Sequence, residues 1–272
     1  MKVKLRRQLV LIGLVKLLLV IAASRTEAAL VNLTVTIRNL APANSVSFAP
    51  LRVGFGNGTF DSFNINQAAT APIVSIAEGG SGNNWFPAFA AAEPNAVLGS
   101  VGGALTPGST ASNTFVVDSM SANHRFFTFG TMVIPSNDLF LGNDNPAAFQ
   151  LFNVSGSLLV NTITQNAGQI WDAGSETANP ANAAFIQGGV NDNRTPENGV
   201  VTFERSELTV FNGLTTGAGY VFSDLSLNNG TNIYEISFST TAVPEPSSAL
   251  LGALGLAAVA LRRRIRSKRT SV

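Results

Sequence analysis

Short alternating segments separated by Gly and Asn turns predict an all-β fold, an antiparallel β-sandwich, for the greater part of this 272-residue chain. Three observations carry the expectation. Residues 31–38, Val-Asn-Leu-Thr-Val-Thr-Ile-Arg, alternate apolar and polar without a fault, as a strand with one buried face does. Turn dipeptides recur at Asn57-Gly58, Pro107-Gly108, Ser155-Gly156, Asn198-Gly199, Asn212-Gly213 and Asn229-Gly230. Cysteine is absent, so stability must come from a core, and thiolate catalysis and thiolate metal sites are excluded.

From the N-terminus, Lys2, Lys4, Arg6 and Arg7 form a basic n-region ahead of a mostly apolar stretch over 9–23. Thr26-Glu27-Ala28 then offers a small-x-small cleavage site before Ala29, which predicts a signal peptide over residues 1–28. Residues 29–242 follow as one β-sandwich domain. Strands are expected at 31–38, 114–117, 125–134, 157–164, 200–204, 208–211, 220–225 and 233–238, where β-branched and aromatic residues concentrate. Residues 85–92 read as a short helix that packs Trp85, Phe86 and Phe89 inward. No internal repeat is visible.

Residues 243–272 change character. Val243-Pro244-Glu245-Pro246 stops any strand, because each proline removes a backbone donor and fixes its own φ. The apolar run 249–261 then leads to Arg262, Arg263, Arg264 and Arg266, which the positive-inside tendency places on the cytoplasmic side of a short transmembrane helix. A Pro-Glu-Pro stop, an apolar helix and an arginine cluster in this order resemble the PEP-CTERM anchor of exported bacterial proteins. The resemblance implies processing by an exosortase, attachment to the membrane through the helix beforehand, and a destination at the cell surface or outside the cell.

Without these two ends the charge inverts. Between 29 and 243 only Arg38, Arg52, Arg125, Arg194 and Arg205 remain against fourteen acidic residues, a net charge of −9 where the whole chain has +1. Such a body is repelled by nucleic acid and by anionic lipid, and divalent cations suit it better.

Two passages carry a second resemblance. Residues 131–142, which include Met132, Pro135, Ser136, Asp138, Phe140 and Gly142, resemble the Met-x-x-Pro-Ser-x-Asp-x-Phe-x-Gly segment of the spondin N-terminal domain, a C2-like β-sandwich. Trp171-Asp172-Ala173-Gly174-Ser175-Glu176 is similar to that family's Trp-Asp-Ala-Gly-Thr-Asp/Glu loop, in the same order along the chain. Leu139 departs from the tryptophan of animal members, and residues 143–149 depart from the pattern altogether. The resemblance implies a calcium site at Asp138, Asp172 and Glu176. Hard oxygen donors on loops suit calcium, and Asp172 and Glu176 lie four apart across Gly174. The other reading of the same residues is that they cap turns.

Catalytic constellations are sparse. His124 is the single histidine and stands at a strand entrance, and no serine occupies a Gly-x-Ser-x-Gly elbow. The expectation is therefore an exported, non-catalytic, calcium-binding spondin-like protein that interacts with exopolysaccharide or another matrix component. The alternative is a surface glycoside hydrolase pairing Asp138 with Asp172 or Glu176.

Overall fold

The computed structural model describes residues 30–243. In chain order these form β1 (Leu30–Asn39), β2 (Ser47–Phe48), β3 (Leu51–Gly56), α1 (Ala71–Gly79), α2 (Trp85–Ala92), β4 (Val97–Val101), β5 (Thr110–Asp118), β6 (Phe126–Ile134), β7 (Leu139–Gly142), β8 (Thr162–Asn166), β9 (Trp171–Asp172), β10 (Thr202–Phe203) and β11 (Asn232–Ala242). Two antiparallel sheets result, one ordered β5-β1-β11-β8 and the other β10-β9-β7-β6-β3-β4, with β2 alongside β6. This is the all-β sandwich that the alternation and turn signals predict.

β1 lies between β5 and β11, with Val35 opposite Asn113 on one side and Phe238 on the other. Its inward residues Leu33, Val35 and Ile37 are fully buried and share one core with Val53, Phe55, Phe127 and Phe129 of the facing sheet. The opposite face of the larger sheet carries a second core, where Ile76 of α1 and Trp85 and Phe89 of α2 pack with Phe140 and Trp171. The larger sheet is thus covered on both sides, which is why β6 reads as a continuous apolar run without alternation.

The helix over 85–92 forms as expected, with Trp85 and Phe89 fully buried. Phe86 is a correction: it stays half-buried with the Arg52 guanidinium 6.0 Å above its ring. Three strand expectations also need correction. Residues 208–211 belong to a 3-10 helix, Ser206–Phe211, because Leu208 and Phe211, three apart, are both buried, and three residues make one turn of that helix. Residues 220–225 form no strand, only a bridge from Val221 to Thr215, and the 157–164 strand begins at Thr162.

β3, β4 and β7 escape sequence reading because glycines interrupt their patterns. Gly54 and Gly56 lie where the Phe89 ring and the Glu93 carboxylate pack directly on the β3 backbone. Of the six expected turn glycines, Gly58, Gly108, Gly156 and Gly213 have positive φ, whereas Gly199 and Gly230 do not.

No helix among the described residues is long and apolar enough to cross a membrane. The signal segment 1–28 and the expected helix over 249–261 lie outside the described residues.

Gly54→Ala tests the packing of α2 on β3. The added Cβ would meet the Phe89 ring, so urea denaturation should register a loss of about 1–3 kcal/mol. Wild-type stability would show that α2 does not press on β3 at this point.

Candidate functional site

Two polar loops converge where α1, β7 and β9 meet. In the first, Ser136 clamps the turn after β6: its hydroxyl donates to the Val133 carbonyl at 2.6 Å and accepts from the Leu139 amide at 3.1 Å. That clamp fixes Asp138, which is fully buried. Its Oδ2 accepts from the Ser175 amide at 2.7 Å and the Glu176 amide at 3.0 Å, and lies 3.1 Å from the Ser175 hydroxyl. One carboxylate oxygen therefore holds the second loop in place.

Gly174 lets that second loop turn. Its φ of 61° suits glycine, and a Cβ there would crowd the backbone of Gly199 and Val200. Just before it, Asp172 Oδ1 accepts from the Gly174 amide at 2.6 Å. Turn capping is accordingly a role that Asp138 and Asp172 both have.

Three further charged groups complete the cluster. Glu78 at the end of α1 lies 2.8 Å from the Ser175 hydroxyl and forms an ion pair with Arg194. The Arg194 Nε is 3.7 Å from Glu176 Oε2, while Asn137 Nδ2 donates to Glu176 Oε1 at 3.1 Å. Glu207, on the 3-10 helix, accepts from the Asn137 amide and feels the charges of Asp138, Asp172 and Glu176. Sequence reading missed Glu78, Arg194 and Glu207 as members of the site. Glu207 was hidden because 208–211 read as a strand, and Arg194 because a lone loop arginine carries no pattern.

The electrostatics are strained. Burial raises the Asp138 carboxyl against three opposing hydrogen bonds, and burial also raises Glu176. Asp172 is pushed up to about 6 by burial and then by Asp138. Glu207 is pushed up to about 9 by burial, then by Asp138 and Asp172. Asp138 Oδ1, Glu176 Oε2 and Glu207 Oε1 are shielded from water and have no hydrogen-bond partner. Such orphaned carboxylate oxygens call for a cation or a proton. Yet among the described residues no group of three or more His, Cys, Asp or Glu side chains is placed so that it could hold a metal ion. Arg194, its side chain 39% exposed, reaches two of the acids from outside.

His124 sits in a 3-10 turn, where Nδ1 accepts from the Asp118 amide and Nε2 lies 3.0 Å from the Asn95 carbonyl. Both ring nitrogens are thereby engaged in holding backbone.

Of the sorting motif, Val243 is described: its amide donates to the Leu30 carbonyl at 3.2 Å, one residue past β11. Pro244, Glu245 and Pro246, and the arginines 262, 263, 264 and 266, lie outside the described residues. Comparison with known families matches the PEP-CTERM protein-sorting motif over residues 242–264. This motif marks an exported protein that an exosortase processes, anchored in the membrane before processing and sorted to the cell surface. No curated protein matches the chain.

The raised carboxyls fix the sign of a pH dependence in chelator. Between the unfolded values and the raised ones the native state binds more protons than the unfolded chain, so stability should fall as pH rises from about 5 to about 9. Glu207→Gln should flatten the upper part of that fall. Melting temperatures that rise over this window in chelator would contradict the cluster as described.

Proposed function

We propose that the body of this chain is a spondin-like, non-catalytic calcium-binding module that reaches the cell surface by exosortase sorting and associates there with exopolysaccharide or another matrix component. The observation that carries the metal reading is the set of orphaned oxygens on Asp138, Glu176 and Glu207, which come from three separate segments and share one electrostatic neighbourhood. Asp138, Asp172 and Glu176 are the proposed ligands, with Glu207 as a fourth acid. Calcium accepts about 6 to 8 oxygens at flexible geometry, and binding here would require the carboxylates to rotate toward one point and Arg194, its side chain 39% exposed, to withdraw. Burial supports a structural role over a hydrolytic one. Asp138 and Glu176, at 0% and 2% exposed, do not face a substrate cleft as a pair of glycosidase carboxylates must.

Partner choice follows from charge. A body at −9 among anionic surface polymers needs bridging divalent cations or uncharged contact groups. Weak sites repeated over many displayed copies then suffice for adhesion.

Thermal melting in calcium and in chelator tests the metal. Calcium at about 100 times its Kd should stabilise the wild type by about 2.7 kcal/mol. Asp172→Asn and Glu176→Gln should each abolish most of that gain, and near pH 5 in chelator should leave stability little changed, while at higher pH the chelator value should hold or rise because the raised carboxyl is gone. Equal melting temperatures for the wild type in both buffers would overturn the calcium reading.

Processing has its own test, mass spectrometry of surface-exposed protein from a host that has an exosortase. The mature chain should begin near Ala29 and lack the arginines 262–266. An intact arginine cluster on the surface form would count against removal of the tail.

A further inference from the structure

We propose that the cavity between β7, β9, β10 and the 143–149 loop is a subsite for one neutral sugar ring, with Phe203 as its stacking platform. The proposal deepens the surface-module reading, on which it rests, by naming the contact chemistry. The cavity is a shallow groove open to solvent, of about 180 Å³, lined by Asn143, Asp144, Gln165, Gln169, Trp171 and Phe203 among others. It falls below the roughly 300 Å³ at which pockets for drug-sized ligands begin, so it takes a single ring and leaves the rest of a polymer outside. Residues 143–149 are also the stretch that departs from the spondin pattern.

The floor is built and rigid. Phe203 pairs with Trp171 across β10 and β9, and their rings stack at 3.6 Å between centroids and 22° between planes. Trp171 is itself fixed, its Nε1 donating to the Gly142 carbonyl at 3.0 Å and its ring packed against Phe63 and Phe140. The upper ring remains open: Phe203 is 50% exposed, and apart from Phe185 no other phenylalanine, tyrosine or tryptophan among the described residues is so exposed. An exposed ring locked onto a buried one offers a flat apolar face that loses little freedom on binding.

The rim supplies both signs of hydrogen bond. Asp144 Oδ1 has no hydrogen-bond partner and is closed to water, so a sugar hydroxyl reaches it only once the side chain turns toward the groove. Gln165 is 6% exposed and its Nε2 makes a single long contact of 3.4 Å with the Thr164 carbonyl. Gln169 Oε1 is taken by the Asn166 amide, which leaves its Nε2 hydrogens for a ligand. Asn143 is used up in shaping the loop, accepting from the Phe129 amide and donating to the Asn145 carbonyl. A pyranose matches this arrangement, because its C–H face lies on an aromatic ring while its hydroxyls donate and accept at the edge. An apolar peptide side chain would leave the Asp144 oxygen buried and unpaired. Anionic sugars are disfavoured, since no cationic residue lines the cavity and the body carries −9.

The full-length protein in mild detergent is titrated with glucose, galactose, mannose and N-acetylglucosamine, with cellohexaose and maltohexaose, and with polygalacturonate and a hydrophobic hexapeptide as contrasts. Saturation-transfer NMR and tryptophan fluorescence read the binding. Trp85 is fully buried, so the fluorescence change reports Trp171 beneath Phe203. At least one neutral sugar should bind in the millimolar range. Phe203→Ala should weaken it by about tenfold or more, while Phe203→Tyr retains it. Should Phe203→Ala fail to fold, Asp144→Asn and Gln169→Ala carry the test and should each weaken binding several-fold. Absence of binding by every neutral sugar, binding unchanged in these variants, or tighter binding of the hexapeptide or polygalacturonate would overturn the proposal. Each titration runs in calcium and in chelator. A normal calcium shift without sugar binding sinks this inference alone, and sugar binding without a calcium shift sinks the metal reading alone.

Discussion

Asp138 spends one buried carboxylate on holding two distant parts of the chain together. Its Oδ2 gathers the amides of Ser175 and Glu176, so the loop after β9 cannot move without exposing a charge that is otherwise fully buried. Charge-assisted hydrogen bonds of this kind are roughly twice as strong as neutral ones, and removing them would leave a desolvated carboxylate without compensation. The placement of Glu176 depends on this bond directly. Through Ser175, so does the contact with Glu78 at the end of α1.

The same bond creates an imbalance. The Ser175 hydroxyl has one proton and lies within reach of both Asp138 and Glu78, so it serves one of them at a time. Glu78, Asp138, Asp172, Glu176 and Glu207 gather in this region, and Arg194, approaching from solvent, pairs with two of them, Glu78 and Glu176. Protons can balance the charge at low pH, as the raised Asp172 and Glu207 carboxyls indicate. On the calcium proposal, a divalent cation would balance the same charge at higher pH.

How much of this was legible in the sequence depends on where pattern and packing agree. β1 alternates without interruption and forms as read, because one face meets the core and the other meets water. β3 carries Gly54 and Gly56 where Phe89 and Glu93 press on the strand, so their meaning appears only once α2 is docked, while Gly142 at the end of β7 sits close to the Phe129 carbonyl of β6 and the Phe63 ring. At the site, Asp138, Asp172 and Glu176 stand within short passages that drew attention in the sequence, and the fold brings Asp138 against the loop that carries the other two; their role as metal ligands is a proposal. Glu78, Arg194 and Glu207 enter from a helix end, a loop and a 3-10 turn remote in sequence, and no local spacing announces them. Phe203 was equally silent, since a single aromatic in a two-residue strand reads as core until its exposure is known.

The two ends of the body complete the functional picture. β1 and β11 pair along their length, with Val31 opposite Ala242, and the Val243 amide closes the ladder onto Leu30. The segments before residue 30 and after residue 243 therefore leave from neighbouring points. Pro244 and Pro246 come next in the sequence, and as prolines they have no amide hydrogen with which to extend the ladder. Only residues 244–248 separate that ladder from the apolar run, and five residues span at most about 18 Å in any conformation. On the proposed reading, release of the tail frees an acidic body whose charge of −9 permits contacts through uncharged sugars or bridging cations and opposes direct contact with anionic polymers.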